Sequence, residues 1–127
     1  MKFLLLVYLE ENALTERQRQ DCYEESTELC RELHGQGRFF GASPLQPIST
    51  AASVRVREGK PLVTDGPFAE TREQLGGYFL VEASDREEAI AIAARIPAAR
   101  DGTIEVRPIV ELPGLPLGPE PLFASRS

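Results

Sequence analysis

Tryptophan is absent from this chain, and histidine and cysteine are scarce, with one and two residues respectively. With His34 as the single histidine, a His-rich metal site cannot be assembled within one chain. Ser-His-Asp and Cys-His catalysis are disfavoured as well, because His34 would have to reach a nucleophile from the predicted end of a helix. The sequence also lacks a P-loop, a dinucleotide-binding fingerprint and a CxxC motif. We therefore expect neither a metal ion nor another cofactor.

Long apolar runs and an excess of positive charge are missing too. The run from Phe3 to Leu9 is too short to span a bilayer and precedes no cleavage pattern, so we expect neither a membrane segment nor an export signal. The chain has fourteen basic residues, spread along its length, and twenty acidic ones. The resulting net charge of −6 disfavours direct nucleic-acid binding. Cys22 and Cys30 lie about 12 Å apart along a predicted helix, too far for a disulfide. Free thiols indicate a reducing cytoplasm.

What is present indicates one α+β domain. The composition is average for a globular protein, and 127 residues suffice for one hydrophobic core. Thr15 with Gln18 forms a capping box that begins the first helix, and Ser84 with Glu87 forms one for the second. The predicted strands are residues 2–8, 38–42, 76–83 and 103–110, the helices are 15–34 and 84–96, and a hairpin spans 53–64.

This order predicts a ferredoxin-like fold, βαβ-hairpin-βαβ, with an antiparallel sheet and both helices on one face. The first and third of the sheet strands carry apolar side chains on both alternating sets, so they should be central. The face without helices would then expose on the order of several hundred Å² of apolar surface, more than soluble monomers usually leave uncovered. A second copy packing sheet to sheet would cover it, so we expect a homodimer. The alternating sets are Phe3/Leu5/Val7, Leu4/Leu6/Tyr8, Phe79/Val81/Ala83 and Tyr78/Leu80.

The composition changes near the C-terminus, where prolines and glycines alternate from Pro113 onward. We divide the chain into a folded body, residues 1–111, and a proline-rich tail, residues 112–127, which cannot form regular secondary structure. Two interpretations remain open for the tail. It is a solvated extension, or it is an arm that lays Leu115, Leu117, Leu122 and Phe123 on a partner subunit.

The densest polar cluster lies between the hairpin and the third sheet strand, at residues 64–74. Asp65 suits a general base or a ligand anchor, and Arg72 suits an anionic group. Asp65 would equally suit a turn before Gly66 and Pro67, and Thr71 with Gln74 predicts a single helical turn. Tyrosines of the central strands could project hydroxyls into a cleft or stay in the core. The candidate ligand-binding residues are Tyr8, Asp65, Phe68, Glu70, Arg72 and Tyr78, with Asp65 the candidate catalytic residue.

The segment LVTDGPFAETREQLGGY, residues 62–78, closely resembles the signature of the YCII-related proteins, in the subgroup named for its Asp-Gly-Pro-Phe sequence. The opening KFLLLVY and the closing AARIP and IEVRP are similar to the same family, so the resemblance covers about residues 1–111. It implies a dimeric α/β-barrel relationship. Some relatives are thought to be encoded beside extracytoplasmic-function sigma factors, and a distant branch is proposed to use a His-Asp pair. In the matching part of the first helix, residues 17–20 contain no histidine, so Asp65 would act without that partner.

Three hypotheses follow for the function. In the first, a dimer binds a small organic molecule in a cleft at the Asp65 segment, with weak lyase, isomerase or hydrolase chemistry that uses Asp65 as base. In the second, the protein is a non-enzymatic accessory or regulatory partner of an extracytoplasmic-function sigma factor. In the third, the segment around Asp65 only stabilises the fold.

Overall fold

Two βαβ units and an intervening hairpin make up residues 1–116, the part of the chain that the computed structural model describes. The order of elements predicted from the sequence is confirmed. The strands are β1 Lys2–Leu9, β2 Phe39–Pro44, β3 Ala52–Arg57, β4 Lys60–Asp65, β5 Gln74–Glu82 and β6 Thr103–Pro108. The helices are α1 Glu16–Gly35 and α2 Arg86–Ala94, with short 3-10 helices at Ile48–Thr50 and Pro97–Arg100.

The main sheet has four strands in the order β2-β5-β1-β6, and all of its neighbours are antiparallel. β1 and β5 are therefore the central strands, as their apolar alternation predicts, and the topology is ferredoxin-like. Their pairing runs from Lys2 opposite Glu82 to Leu9 opposite Gln74, with one irregularity between Val7 and Tyr8. This irregularity shifts the register at the end of the sheet where β5 begins.

The core lies between one face of this sheet and the two helices. Leu5 and Val81, from the two central strands, have no exposed surface. Burying an aliphatic side chain of this size contributes about 1.5–3 kcal/mol, so these positions fix which face of the sheet the helices cover. Among residues 1–116, the core cluster consists of Phe3, Leu5, Val7, Leu29, Leu33, Phe79, Val81, Ala83, Ala89, Ile92, Ala93 and Ile96, and Pro97 is buried as well.

The start of α1 is the capping box expected from the sequence. The Gln18 N–H donates to Thr15 Oγ1 at 3.1 Å, and the Thr15 N–H donates to Gln18 Oε1 at 2.8 Å. The capping box predicted for α2 is wrong by one residue. Asp85, and not Ser84, caps this helix by accepting the Glu88 N–H at 2.8 Å.

The strand boundaries differ from the prediction by one or two residues. β2 continues two residues past its predicted end, to Pro44, which lies opposite Gly77 of β5. Proline is tolerated there since β2 is an edge strand. β6 ends at Pro108 and not at residue 110, although the Ile109 N–H still donates to the Lys2 carbonyl at 3.1 Å.

β3 and β4 form a separate two-stranded hairpin that does not pair with the main sheet. Its turn places both Glu58 and Gly59 at positive φ, which gives the twist of a type I′ connection. All of β4 is exposed, and Val54 and Val63, which lie opposite each other, are 63% and 66% exposed. The predicted hairpin is confirmed, and it stands away from the core.

The chain beyond β6 starts at the rim of the helix-free face of the sheet. Lys2 Nζ lies 2.9 Å from Glu111 Oε1, and residues 111–116 are exposed. The predicted arm residues Leu117, Leu122 and Phe123 lie outside the described residues. Within residues 1–116, neither helix has the length and apolar character needed to cross a bilayer.

Gly102 lies so close to β1 that no side chain fits at this position. A Cβ at this position would lie 2.1 Å from the Tyr8 carbonyl oxygen and 3.0 Å from Leu9 Cδ1. Tyr8 cannot move away easily, since it pairs with Thr103. We expect Gly102→Ala to lower the free energy of unfolding by about 1–3 kcal/mol in urea denaturation.

Gly35→Ala is the matched control, since its new Cβ would meet nothing within 4 Å at the end of α1. Alanine favours a helix by up to about 1 kcal/mol over glycine, so this variant should be neutral or slightly more stable. Equal stability of the two variants would contradict the close approach at Gly102.

Candidate functional site

A cleft of about 950 Å³ opens between α1 and the helix-covered face of the sheet. It exists because the side chains of α1 that face the sheet change size along the helix. Leu29 and Leu33 are buried against the sheet, whereas Cys22, Ser26 and Cys30 are small and only partly buried. The apolar lining comprises Val7, Leu9, Leu14, Cys22, Tyr23, Cys30, Phe39, Ala42, Leu45, Leu75, Phe79, Ile96 and Ala98.

Two connecting segments border the mouth of the cleft, and a hydrogen bond joins them. Glu11, in the β1–α1 connection, accepts the Ile48 N–H through Oε2 at 2.6 Å. Arg19 Nη2 donates to the Glu11 carbonyl at 3.0 Å, which ties the same connection to the first turns of α1. The mouth is therefore held by contacts between segments far apart in the sequence.

The two cysteines of the cleft wall are free thiols. Burial raises the pKa of Cys30 above that of an ordinary thiol. Burial also raises the pKa of Cys22, although nearby Arg100 partly opposes the shift. A higher pKa means less thiolate at neutral pH, so these side chains present neutral S–H groups and are poor nucleophiles.

Of the six ligand-binding residues predicted from the sequence, the cleft lining contains Tyr78. The side chain of Tyr78 lies on the other face of the sheet, because Tyr78 alternates with the core residue Phe79 and stands opposite Leu6. Asp65, the predicted base, is exposed at the end of β4 and outside this lining. Tyr8 is partly buried on β1, opposite Leu75 and Thr103. The structure therefore separates Tyr78 from the predicted catalytic residue.

The other three predicted residues lie in the exposed segment between β4 and β5. Phe68 is 81% exposed, and the guanidinium carbon of Arg55 lies 5.9 Å from the centre of its ring. Arg72 Nε lies 3.7 Å from Glu10 Oε1, and Glu10 belongs to the cleft lining. Glu70 is exposed. Arg72 is thus the member of this group that reaches the rim of the cleft, through an ion pair.

The segment from Asp65 to Gln74 folds differently from the prediction. Two hydrogen bonds tie its start to the neighbouring chain, because the Gly66 N–H donates to the Ala51 carbonyl at 2.8 Å and Ser53 Oγ donates to the Gly66 carbonyl at 2.8 Å. The predicted helical turn at Thr71 is wrong. The Thr71 hydroxyl donates to the Glu73 carbonyl at 2.6 Å and does not cap a helix, since β5 already begins at Gln74.

The sequence analysis did not predict Cys22, Ser26 and Cys30 as the wall of a cleft. The available signal was their size. Two small side chains on successive helical turns, Cys22 and Ser26, come before Leu29 and Leu33 and leave space at the N-terminal end of a helix packed on a sheet. Ala42, opposite them on β2, adds to that space.

No helix of residues 1–116 covers the opposite face of the sheet, which is apolar at its centre and carries Glu105 and Arg107 along β6. Leu4, Leu6 and Leu80 are partly buried there by neighbouring strands, and Phe40 is 46% exposed. Lys2 Nζ lies 4.8 Å from the centre of the Phe40 ring. We call the surface formed by Leu4, Leu6, Phe40 and Leu80 the outer face.

The raised thiol pKa values predict slow alkylation of both cysteines. Below the shifted pKa the thiolate is scarce, so the iodoacetamide rate should have its pH midpoint above that of an ordinary thiol. Mass spectrometry of Cys22→Ser and Cys30→Ser variants assigns each rate. The urea-unfolded chain is the control and should show the ordinary midpoint; a native midpoint at or below that value would contradict a desolvated wall.

Comparison of the sequence with known proteins assigns the chain to a family. The YCII-related domain, as a family model, matches residues 1–113. An uncharacterised protein of Rhizobium meliloti (strain 1021) is 31% identical over 114 residues, which cover 86% of this chain and 92% of the relative. The matched region contains the cleft, the outer face and the segment from Asp65 to Gln74. On this basis the chain belongs to the YCII-related family.

Proposed function

We propose that this YCII-related protein binds a small organic molecule in the cleft between α1 and the sheet, and that it does so as a homodimer. The observation that carries the proposal is the cleft itself, whose volume of about 950 Å³ lies within the range of small-molecule sites. Its wall is made of rigid elements, since α1, β2 and β5 all contribute to the packed core. The pocket is therefore largely formed before a ligand binds.

The cleft also offers a few polar groups that could orient a ligand. Ser26 lies on the α1 wall, and Asn12 and Gln46 lie on the two connections at the mouth. Two other hydroxyls of the lining are already engaged, because Thr27 donates to the Tyr23 carbonyl at 2.7 Å and Ser43 to the Pro44 carbonyl at 2.9 Å. An apolar wall with few polar groups is the usual composition of a small-molecule site.

The proposal assigns no reaction to Asp65. Its carboxylate is exposed and does not line the cleft, so a general-base role would need a second chain to cover it. Membership of the subgroup named for the sequence from Asp65 to Phe68 stays a prediction.

Filling the cleft should abolish ligand binding. Ala42→Phe places a large side chain in the wall, so we expect hits from a thermal-shift screen of small cyclic lactones and acids to lose their effect in this variant. A compound at 100 times its Kd stabilises the native chain by about 2.7 kcal/mol, which a melting curve resolves. The same hits should protect Cys22 and Cys30 from alkylation.

Ala91→Phe provides the matched control for this experiment, since Ala91 is exposed on α2 and outside the cleft. It should keep every hit. A screen without hits, or hits that survive Ala42→Phe, would contradict the proposed site.

The outer face supports the homodimer. It is apolar, it lies on the two central strands, and among residues 1–116 no helix covers it. Soluble monomers rarely expose a continuous apolar surface of this kind. A two-fold contact would pair each outer face with its copy and close both surfaces at once.

Leu6→Lys tests the dimer with little expected damage to the protomer, because Glu105 lies opposite Leu6 on β6 and can accept the new charge. Burying the lysine at an interface costs desolvation even when Glu105 pairs with it, so the variant should sediment as a monomer in analytical ultracentrifugation at micromolar concentration. Leu62→Lys, at an exposed hairpin position, is the control and should remain dimeric. A monomeric unsubstituted chain, or a dimeric Leu6→Lys variant, would contradict the proposal.

The hairpin favours a second candidate function, an accessory role through protein contacts. Val54, Val56 and Val63 share one face of β3 and β4 and are all more than half exposed. A two-stranded hairpin is marginally stable in water by itself, so a protein partner on this face would stabilise it. An extracytoplasmic-function sigma factor of the same genome is the proposed partner. In a pull-down with the purified sigma factor, Val63→Lys should lose binding and Leu62→Lys, on the other hairpin face, should retain it.

A further inference from the structure

We propose that the molecule bound in the cleft is uncharged, with an apolar body and a hydroxyl or carbonyl group that meets Ser26, and that carboxylates and phosphates are excluded. The inference rests on the proposed function and specifies its ligand class. Three features of the cleft carry it: the neutrality of the wall, the charges at the mouth and the placement of Ser26.

The wall between α1 and the sheet offers little that stabilises a charge. Apart from the hydroxyls of Ser26, Thr27 and Ser43, its side chains are aliphatic, aromatic or thiol, and the two thiols are neutral because burial raises their pKa values. Moving an ionised carboxylate from water to such a wall is unfavourable unless a cation or several hydrogen-bond donors receive it. An apolar ring or short chain meets no such penalty.

The cations at the mouth already have partners, and Arg72 at the rim lies 3.7 Å from Glu10 Oε1 through its Nε. Among the described residues that line the cleft, Glu10 and Glu11 are acidic and Arg19 is the single basic residue. Arg19 is already committed, because its Nη2 donates to the Glu11 carbonyl at 3.0 Å and its Nη1 lies 4.0 Å from Glu16 Oε2. An anionic ligand would therefore meet two carboxylates, and both nearby cations, Arg19 and Arg72, are already engaged.

The N-terminus of α1, although near the mouth, does not offset this charge. The Gln18 N–H, which could otherwise bind an anion, donates to Thr15 Oγ1. Glu16 adds a carboxylate to the first turn, which already neutralises the helix dipole. Residues 15–18 are also absent from the cleft lining.

Ser26 supplies the polar group that an uncharged ligand would need. It lies one turn from Cys22 and one turn from Cys30, at the centre of the α1 wall. Its hydroxyl can both donate and accept, so it can pair with a carbonyl or with a hydroxyl. A ligand with neither group could still pack against the wall, but the cleft would bind it less selectively.

A matched pair of fluorescent probes tests the charge preference on the full chain. N-phenyl-1-naphthylamine and 8-anilinonaphthalene-1-sulfonate share one ring system, and the second adds a sulfonate. We expect the neutral probe to bind at least about tenfold more tightly than the anionic one. Ala42→Phe should weaken the neutral probe by about tenfold or more while Ala91→Phe leaves it unchanged, with circular dichroism confirming that both variants fold.

Removing the charges at the mouth gives a second readout. The double variant Glu10→Gln and Glu11→Gln should raise the affinity for the anionic probe by about three- to tenfold and leave the affinity for the neutral probe unchanged, because it removes the repulsion from the two carboxylates. The amide oxygen at position 11 can still accept the hydrogen bond from Ile48. Glu87→Gln, at an exposed position of α2 outside the cleft, is the control and should leave the affinity for both probes unchanged.

Ser26→Ala tests the polar contact with two neutral ligands, 1-naphthol and naphthalene, which differ by one hydroxyl. Each is titrated in competition with N-phenyl-1-naphthylamine. The variant should weaken 1-naphthol by about five- to tenfold and leave naphthalene unchanged, since one hydrogen bond is lost. Equal responses of the two compounds would overturn the assignment of Ser26.

The outcomes separate this inference from the proposed site. If both probes bind equally and both lose affinity in Ala42→Phe, the cleft is a binding site but the preference for uncharged molecules is overturned. If Ala42→Phe changes neither probe, the proposed site itself fails, and the inference fails with it.

Discussion

The contact of Leu29 and Leu33 with the inner side of the sheet determines where α1 lies, and the cleft is a consequence of that contact. These two leucines are buried and fix the C-terminal half of the helix. Because a helix is rigid over 20 residues, its N-terminal half must follow the same axis even though its side chains cannot fill the space below. Cys22 and Ser26, which precede Leu29 along the helix, are too small to fill this space, so it remains open.

Much of the fold could be predicted because it depends on periodic patterns. The alternation in β1 and β5 placed both strands at the centre of the sheet, and the pair Thr15 and Gln18 located the start of α1. The errors occurred where two neighbouring residues compete for one role. Ser84 and Asp85 can both cap α2, and the choice depends on which one has extended backbone, as Asp85 has. Local sequence does not contain that information.

The cleft could be predicted less well than the fold, because concavity is a property of packing and not of polarity. The reasoning favoured the segment around Asp65 since it is rich in charged residues, yet such a segment is equally typical of exposed connections. The lining of the cleft comes from α1, three strands and their connections, which meet only after folding. The bond from Ile48 to Glu11 at the mouth likewise joins residues that no local motif connects.

The same alternation that builds the core also keeps the two proposed surfaces apart. Val7 faces the cleft, whereas its neighbour Leu6 belongs to the outer face. Successive residues of a strand point to opposite sides, so a ligand and a second chain would contact β1 without sharing a side chain. Any coupling between ligand binding and dimerisation would therefore have to pass through the backbone of β1 and β5. Because both strands pair on both edges, that backbone is the most constrained part of the fold, and the two events should be close to independent.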